Sequence, residues 1–131
     1  MPAWRAVSHV VTFHLVHERR RRPWRAWRRL ATDARWFGRL DGVRSVRVLG
    51  TARGSSTGPS VDPGRVGVFI VWDDDDAVDR HTRALTDRWC AADEVWSCRL
   101  RPISVTGSWA GHRLGAPSSR PRDVSRPVVV L

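Results

Sequence analysis

Lysine and tyrosine are absent from this 131-residue chain, and cysteine occurs only at Cys90 and Cys98. Two cysteines are too few for a disulfide framework, and their spacing matches no zinc-binding pattern. We therefore expect both thiols to be reduced, with Cys98 as a small core residue. Long apolar runs are also missing, because the longest one near the N-terminus, residues 10–16, is interrupted by Thr12 and His14 and is much shorter than the ~18 residues of a membrane span.

The sequence is not expected to carry a twin-arginine export signal. Its arginine run at 19–22 is followed by Pro23 and Trp24, without the apolar stretch and the small-residue cleavage site of an export signal. We therefore predict a cytoplasmic protein. The length suits one domain, and a content of 41% hydrophobic and 27% charged residues is globular, which excludes a wholly disordered chain.

Positive charge is concentrated in the first part of the chain. All 23 cationic residues are arginines, and with 13 acids they give a formal net charge of +10. Residues 1–58 hold 13 arginines and 3 acids, whereas residues 59–117 hold 7 arginines and 9 acids. Because arginine binds phosphates, an arginine-rich nucleic-acid-binding domain is one alternative function. A coding bias that replaces lysine by arginine explains the same composition, so we do not expect nucleic acid to be the partner.

Apolar periodicity predicts six elements of secondary structure. They are a strand at 7–16, a helix at about 23–37 that ends at Gly38, strands at 43–51 and 66–72, a helix at about 75–88, and a strand at 94–105. The order β-α-β-β-α-β predicts a ferredoxin-like α+β unit. In this fold an antiparallel sheet carries both helices on one face.

Three further segments are interpreted from their composition. Residues 52–65 are rich in glycine, serine and proline, which predicts a long loop. The acidic run 73–76 is interpreted as the start of the second helix, where carboxylates suit the positive end of the helix dipole, and not as a metal site. We assign the ferredoxin-like unit to residues 1–116. Residues 117–131, rich in proline, arginine and serine, are predicted to be a linker or the start of a missing second unit.

Four short motifs occur in a characteristic order. They are a strand leading into Gly-Thr-x-x-Gly at 48–54, a strand ending in Val-Trp-Asp at 65–73, a Trp-x-x-x-Leu-x-Pro strand at 94–102 and a Gly-x-Trp-x-Gly loop at 107–111. Together they resemble the spheroidene monooxygenase family of carotenoid-modifying enzymes, over about residues 7–116.

This resemblance implies a dimeric α+β barrel type of fold, in which the sheets of two ferredoxin-like units pack face to face. It also implies a haem-dependent monooxygenase that oxygenates a hydrophobic, carotenoid- or terpenoid-like substrate, with electrons from a separate donor. Family members carry a second unit after the Gly-x-Trp-x-Gly loop, so we expect this chain either to be half of a two-unit chain or to pair with a second copy as a homodimer. A cofactor-free oxygenase or a small-molecule-binding barrel is the alternative, since a fold does not fix a function.

Haem chemistry requires an axial ligand, commonly histidine or cysteine. The candidate histidines are His14 and His17 at the end of the first strand, His81 on the apolar face of the second helix, and His112 after the glycine-rich loop. The ordinary role of His14 and His17 is that of surface residues, and the ordinary role of His81 is that of a core or boundary residue. Arg53, in the Gly-Thr-x-x-Gly turn, is a candidate for binding a haem propionate or an acidic substrate group.

Tryptophan provides the candidate pocket residues. Trp27, Trp72 and Trp96 are predicted to lie on inward faces, and Trp109 lies in the glycine-rich loop. Such rings either fill the core or line an apolar ligand cavity between the helices and the sheet. Trp24, beside several arginines, is typical of a partner surface, a membrane interface or a nucleic-acid site, and its ordinary role is that of a solvated boundary residue.

Overall fold

The computed structural model describes residues 9–18, 23–52 and 61–102, which form a four-stranded antiparallel sheet and two helices. The elements are β1 (Val10–His17), α1 (Pro23–Phe37), β2 (Val43–Ala52), β3 (Val61–Trp72), α2 (Asp75–Arg88) and β4 (Glu94–Leu100). The strands lie in the order β2-β3-β1-β4. This is the ferredoxin-like α+β fold, so the predicted fold class is confirmed.

Both helices begin and end where local signals in the sequence place them. α1 starts at Pro23, whose fixed φ suits the first helical position, and ends at Phe37 before Gly38. Asp74 is the N-cap of α2, and its carboxylate accepts a 2.8 Å hydrogen bond from the backbone N–H of Ala77. The acidic run is therefore a helix start, as predicted.

The third strand starts earlier than its composition suggested. β3 begins at Val61, because Val61 and Asp62 pair with Ala52 and Thr51 at the end of β2. The next pair after Thr51 and Asp62 is Gly50 and Val66. Residues 63–65 of β3 therefore have no partner on β2 and form a bulge. A proline within a bulge is not required to donate a ladder hydrogen bond, and so the strand tolerates this Pro- and Gly-containing segment. The prediction of a loop up to residue 65 was wrong at its C-terminal end.

The first and the last predicted strands were close but not identical to the observed β1 and β4. β1 ends at His17, one residue later than predicted. β4 ends at Leu100, and Arg101 and Pro102 follow without strand pairing. The remainder of the predicted fourth strand, residues 103–105, lies outside the described residues.

The main hydrophobic core lies between the helices and one face of the sheet. Phe37 of α1 and Val78 and Leu85 of α2 belong to one buried cluster with side chains of β1, β2 and β3. Trp72 is fully buried there, and its indole N–H donates a 2.8 Å hydrogen bond to Thr12 Oγ1. Both helices therefore cover the same face, as predicted.

The other face of the sheet carries a smaller apolar cluster. Val11, Phe69 and Val71 are almost fully buried there and pack against the partly buried Phe13 and Leu100. We call this side of the sheet the open face, because neither α1 nor α2 packs on it. The thiols lie near the sheet edge: Cys90 is exposed and Cys98, which pairs with Phe13, is half-buried, so Cys98 is not a fully buried core residue.

Trp96 lies on the open face. It pairs with Leu15 across β1 and β4, so both side chains point to the same side, away from the helices. Its ring lies edge-on to Phe13, with centroids 6.4 Å apart, and the residue is 55% exposed. The prediction that Trp96 points inward was therefore wrong, although its alternation with Ser97 was correct.

Candidate active site

A partly open cavity of about 470 Å³ lies between α2 and the helix-facing side of β1 and β4. Its volume is within the range of pockets that bind small molecules, roughly 300–1,000 Å³. Both walls combine apolar and polar side chains, with Thr82 and Thr86 on the helix side and Val95 on the strand side. The lining includes Val78, Leu85 and Trp89 on the one side, and Thr12, His14, Ser97 and Arg99 on the other.

His14 is the buried titratable residue of this cavity. It is 6% exposed, and its imidazole packs against the indole of Trp89 with ring centroids 4.9 Å apart. Its Nδ1 lies 2.7 Å from Ser97 Oγ, a hydrogen bond between directly paired residues of β1 and β4. Its Nε2 is buried and has no hydrogen-bond partner among the described residues. A buried polar atom without a partner is costly in free energy, and such atoms are concentrated at functional sites.

Burial also sets the charge of His14. Desolvation lowers the pKa of its imidazole from 6.5 to about 4, because a poorly hydrated environment disfavours the cation. At neutral pH the ring is therefore uncharged and has a lone pair available on one nitrogen. A neutral imidazole in a ligand-sized cavity can act as a proton acceptor.

Trp89 is a cavity-lining residue that the sequence analysis did not identify. Its ring lines the cavity, and its indole N–H donates a 3.2 Å hydrogen bond to Asp33 Oδ2 in α1. Asp33 is fully buried and also accepts a 2.9 Å hydrogen bond from Arg88. The buried carboxylate is thus paired, and it fixes the orientation of the ring. The apolar spacing from Val78 through Leu85 extends to residue 89, and this was the signal available in the sequence.

Arg99 bridges the two walls at the edge of the sheet. Its guanidinium donates to Asp79 at 2.6 Å and to Asp75 at 3.0 Å, which connects β4 to the first turns of α2. The bond to Asp79 is the main reason why the pKa of Arg99 is raised, and Asp75 adds to it. Both carboxylates therefore hold this arginine as a permanent cation beside the cavity.

The other described histidines do not line this cavity. His81 stacks on Trp72 with centroids 5.8 Å apart, and its Nε2 lies 2.8 Å from the backbone oxygen of Asp41. It is a boundary residue that joins α2 to the turn before β2. His17 pairs with Glu94 and lies on the open face.

Of the predicted site residues that the structure describes, only His14 lines the cavity. The expectation that it is a surface residue was wrong, because α2 and Trp89 cover its side of β1. Trp72 fills the core and Trp96 lies on the open face. Arg53, Trp109, His112 and the side chain of Trp27 lie outside the described residues.

Neither a metal-binding cluster nor a membrane-spanning helix is found among the described residues. Within residues 9–18, 23–52 and 61–102, no group of three or more His, Cys, Asp or Glu side chains is arranged to hold a metal ion. In the same ranges, neither α1 nor α2 is long and apolar enough to cross a bilayer.

Comparison with known proteins adds a likeness in fold. No protein-family model and no curated protein matches this sequence. The structure is similar to SnoaB, a cofactor-independent oxygenase from Streptomyces nogalater, with a TM-score of 0.52 and 16% identity over 71% of this chain and 91% of that one. It is similar to a putative antibiotic biosynthesis monooxygenase from Deinococcus radiodurans, with a TM-score of 0.53 and 15% identity over 77% and 99%.

A Nitrosomonas europaea protein of unknown function has the same fold, with a TM-score of 0.55 and 12% identity over 80% of this chain and 99% of the other. At such identities the likeness establishes the fold and nothing finer. None of these three structures is named as a spheroidene monooxygenase, so membership of that family stays a prediction.

Proposed function

We propose that this protein is an oxygenase of small hydrophobic molecules that uses no cofactor, and that His14 is its general base. The observation that carries this proposal is a neutral, buried imidazole with an unpartnered Nε2 in a cavity of ligand size. Two proteins of similar fold are named as oxygenases, and one of them is named as cofactor-independent. That likeness supports the class of reaction, while the residues support the mechanism.

The first step is the removal of a proton from the substrate. In the tautomer in which Nδ1–H donates to Ser97 Oγ, the lone pair of His14 is on Nε2, the buried nitrogen that has no hydrogen-bond partner among the described residues. Proton transfer gives an imidazolium next to an enolate or phenolate. The new anion stabilises the imidazolium, and this compensates for the low pKa that His14 has in the absence of substrate.

Dioxygen then oxidises the deprotonated carbon of this enolate or phenolate. The net reaction converts a CH₂ group and O₂ into a C=O group and one water: two C–H bonds and the O–O bond break, and one C=O and two O–H bonds form. The substrate carbon supplies all four electrons, so the reaction needs no external electron donor. The suitable substrate class is a flat phenolic ketone with an acidified CH₂ group, whose rings would contact Val78, Leu85 and Trp89.

Haem dependence stays a prediction that the described residues do not test. His14 would hold the haem iron, because its Nε2 has no partner in the described ranges. If haem binds there, it supplies the reactive iron. His14 would then be a ligand and not a base.

We also infer that two copies pair through the open face of the sheet. Phe13, Leu15, Trp96 and Leu100 present an apolar surface there that is only partly buried. This arrangement is the one implied by the resemblance described above. It leaves the cavity, on the helix side, accessible to substrate.

The test uses dithranol, a phenolic ketone with a CH₂ group between two aromatic rings. Oxygen uptake is measured with an electrode, and formation of the anthraquinone is followed by absorbance, with no reductant present. We expect one O₂ per quinone and a rate that falls about 10²- to 10⁴-fold in His14→Ala, the range for loss of a general base. His17→Gln is the matched control, because this histidine lies on the opposite face.

Three outcomes contradict the proposal. The first is a turnover that His14→Ala does not change. The second is a turnover that requires added haem and a reductant, with a Soret band lost in His14→Ala; this result would establish the haem-dependent alternative. The third is dithranol binding in the cavity without oxygen uptake, which would leave a small-molecule-binding barrel.

A further inference from the structure

A second and larger cavity, of about 640 Å³, lies against α1 and the C-terminal end of α2. Five arginines line it: Arg28, Arg29, Arg35, Arg39 and Arg88. We call it the arginine groove. It shares no lining residue with the cavity that contains His14.

Two of these arginines are fixed by buried acids. Arg29 pairs with Glu18, and Arg88 donates to Asp33 at 2.9 Å. Both carboxylates are almost fully buried, at 4% and 0% exposure. The two pairs give the groove a rigid floor and cancel two of its positive charges.

The other three arginines provide the net charge of the groove. Arg28, Arg35 and Arg39 are exposed, and none forms an ion pair with a residue in the described ranges. At 1.5 Å per residue, positions 28 and 35 are roughly 10 Å apart along α1, and Arg39 lies beyond the end of this helix at Phe37. This separation is too large for one phosphate group, so the three cations suit a ligand with repeated anionic groups.

Aromatic rings accompany the charge. Trp24, near the start of α1, lines the groove and is 56% exposed. Trp36 also lines it, beneath the Arg88 guanidinium at 4.8 Å from the ring centroid. In the sequence, four more arginines at 19–22 connect Glu18 to α1. A positively charged groove with exposed aromatic rings is the usual means of binding a nucleic-acid strand without reading its sequence.

We propose that the arginine groove binds single-stranded nucleic acid, although composition alone did not lead us to expect this partner. Arg28, Arg35 and Arg39 contact successive phosphates, and a base stacks on Trp24. A membrane surface fits less well, because a membrane-bound helix presents a broad apolar face to the lipid, whereas Phe37 and Ala34 of α1 pack into the core. This site is independent of the proposed oxygenase activity.

The test measures the binding of fluorescein-labelled oligothymidine and oligouridine by fluorescence anisotropy, at several salt concentrations. The groove variant carries Arg28→Gln, Arg35→Gln and Arg39→Gln. We expect its affinity at 0.1 M salt to be lower by about 100-fold, and the slope of log K against log salt to be smaller by about 2, since each phosphate contact contributes about 0.7 for single strands. DNA and RNA are expected to bind alike, because neither contact reads the sugar.

A matched control removes the same charge elsewhere. Arg44→Gln, Arg80→Gln and Arg83→Gln change exposed arginines that pair with Asp73, Asp41 and Asp87, outside the groove. We expect this variant to retain most of the affinity. The slope of log K against log salt should decrease only slightly, because these arginines act on the bound strand at long range.

The stacking role has a separate test. Trp24→Ala is expected to weaken binding by at least about fivefold, and Trp24→Phe to restore most of it, as for a base stacked on an aromatic ring. Circular dichroism confirms that each variant is folded.

The proposal is overturned by equal losses in the two triple variants, by no measurable binding of either oligonucleotide at low salt, or by an unchanged affinity in Trp24→Ala. Binding of phosphatidylglycerol vesicles without binding of oligonucleotides would also overturn it and would assign the groove to a membrane surface.

Discussion

At the scale of single residues, the proposed reaction depends on His14, whose environment is formed by residues far away in the sequence. Strand alternation correctly placed His14 on the face opposite Phe13. Its burial was not predicted, because it depends on α2 and on Trp89, which lies 75 positions further along the chain. The same long-range packing brings Asp33 and Trp89 together. The apolar spacing of α2 extends to Trp89, but no local pattern identifies Asp33 as the partner of its ring.

The lowered pKa of His14 predicts a pH-dependent stability. Its pKa is about 4 in the folded protein and 6.5 for an exposed imidazole, so the unfolded chain binds more protons between these values. The free energy of unfolding is therefore complete above about pH 6.5 and decreases as the pH falls towards 4, by about 3 kcal/mol in total. Urea unfolding at a series of pH values measures this decrease.

The comparison variant is His14→Gln, which keeps a polar side chain of similar length. Its unfolding free energy should depend less on pH in this window, although some dependence remains because burial also lowers the pKa of His9. Identical pH profiles for the two proteins would mean that His14 is not desolvated in the folded state.

At the scale of elements, the helices were predicted closely and the strands less so. Helix ends depend on nearby residues, such as Pro23 at the start of α1 and Asp74 before α2. The start of β3 depends instead on pairing with the end of β2, across the bulge at 63–65. Composition alone favours a loop there, and only tertiary pairing makes it a strand.

The N-cap of α2 gives a prediction at this scale. Asp74→Ala removes the acceptor of the 2.8 Å hydrogen bond from the N–H of Ala77, and it should lower the free energy of unfolding by about 1 kcal/mol. Asp74→Ser should retain most of the stability, because serine caps helices about as well as aspartate. Thermal unfolding at neutral pH provides the measurement. If the alanine and serine variants are equally stable, the capping bond does not contribute.

At the scale of the whole molecule, the element order was sufficient to predict the fold. A β-α-β-β-α-β chain with right-handed crossovers places its first and third strands in the centre, and the observed order β2-β3-β1-β4 has this arrangement. The order could not predict which side of each strand contacts the helices. Trp96 demonstrates this, because its alternation was correct and its face was not.

The exposed position of Trp96 makes the homodimer testable. A large aromatic ring at the centre of an interface often contributes about 2 kcal/mol or more, which is about 30-fold in Kd. Trp96→Glu places a charge on the open face and should convert the dimer into a monomer, as measured by light scattering after size exclusion over a range of concentrations. Trp24→Glu is the matched control, since this ring is similarly exposed, at 56% against 55%, but lies on α1. The dimer should persist in that variant. A wild-type protein that is monomeric throughout, or equal dissociation of both variants, would show that copies do not pair through the open face.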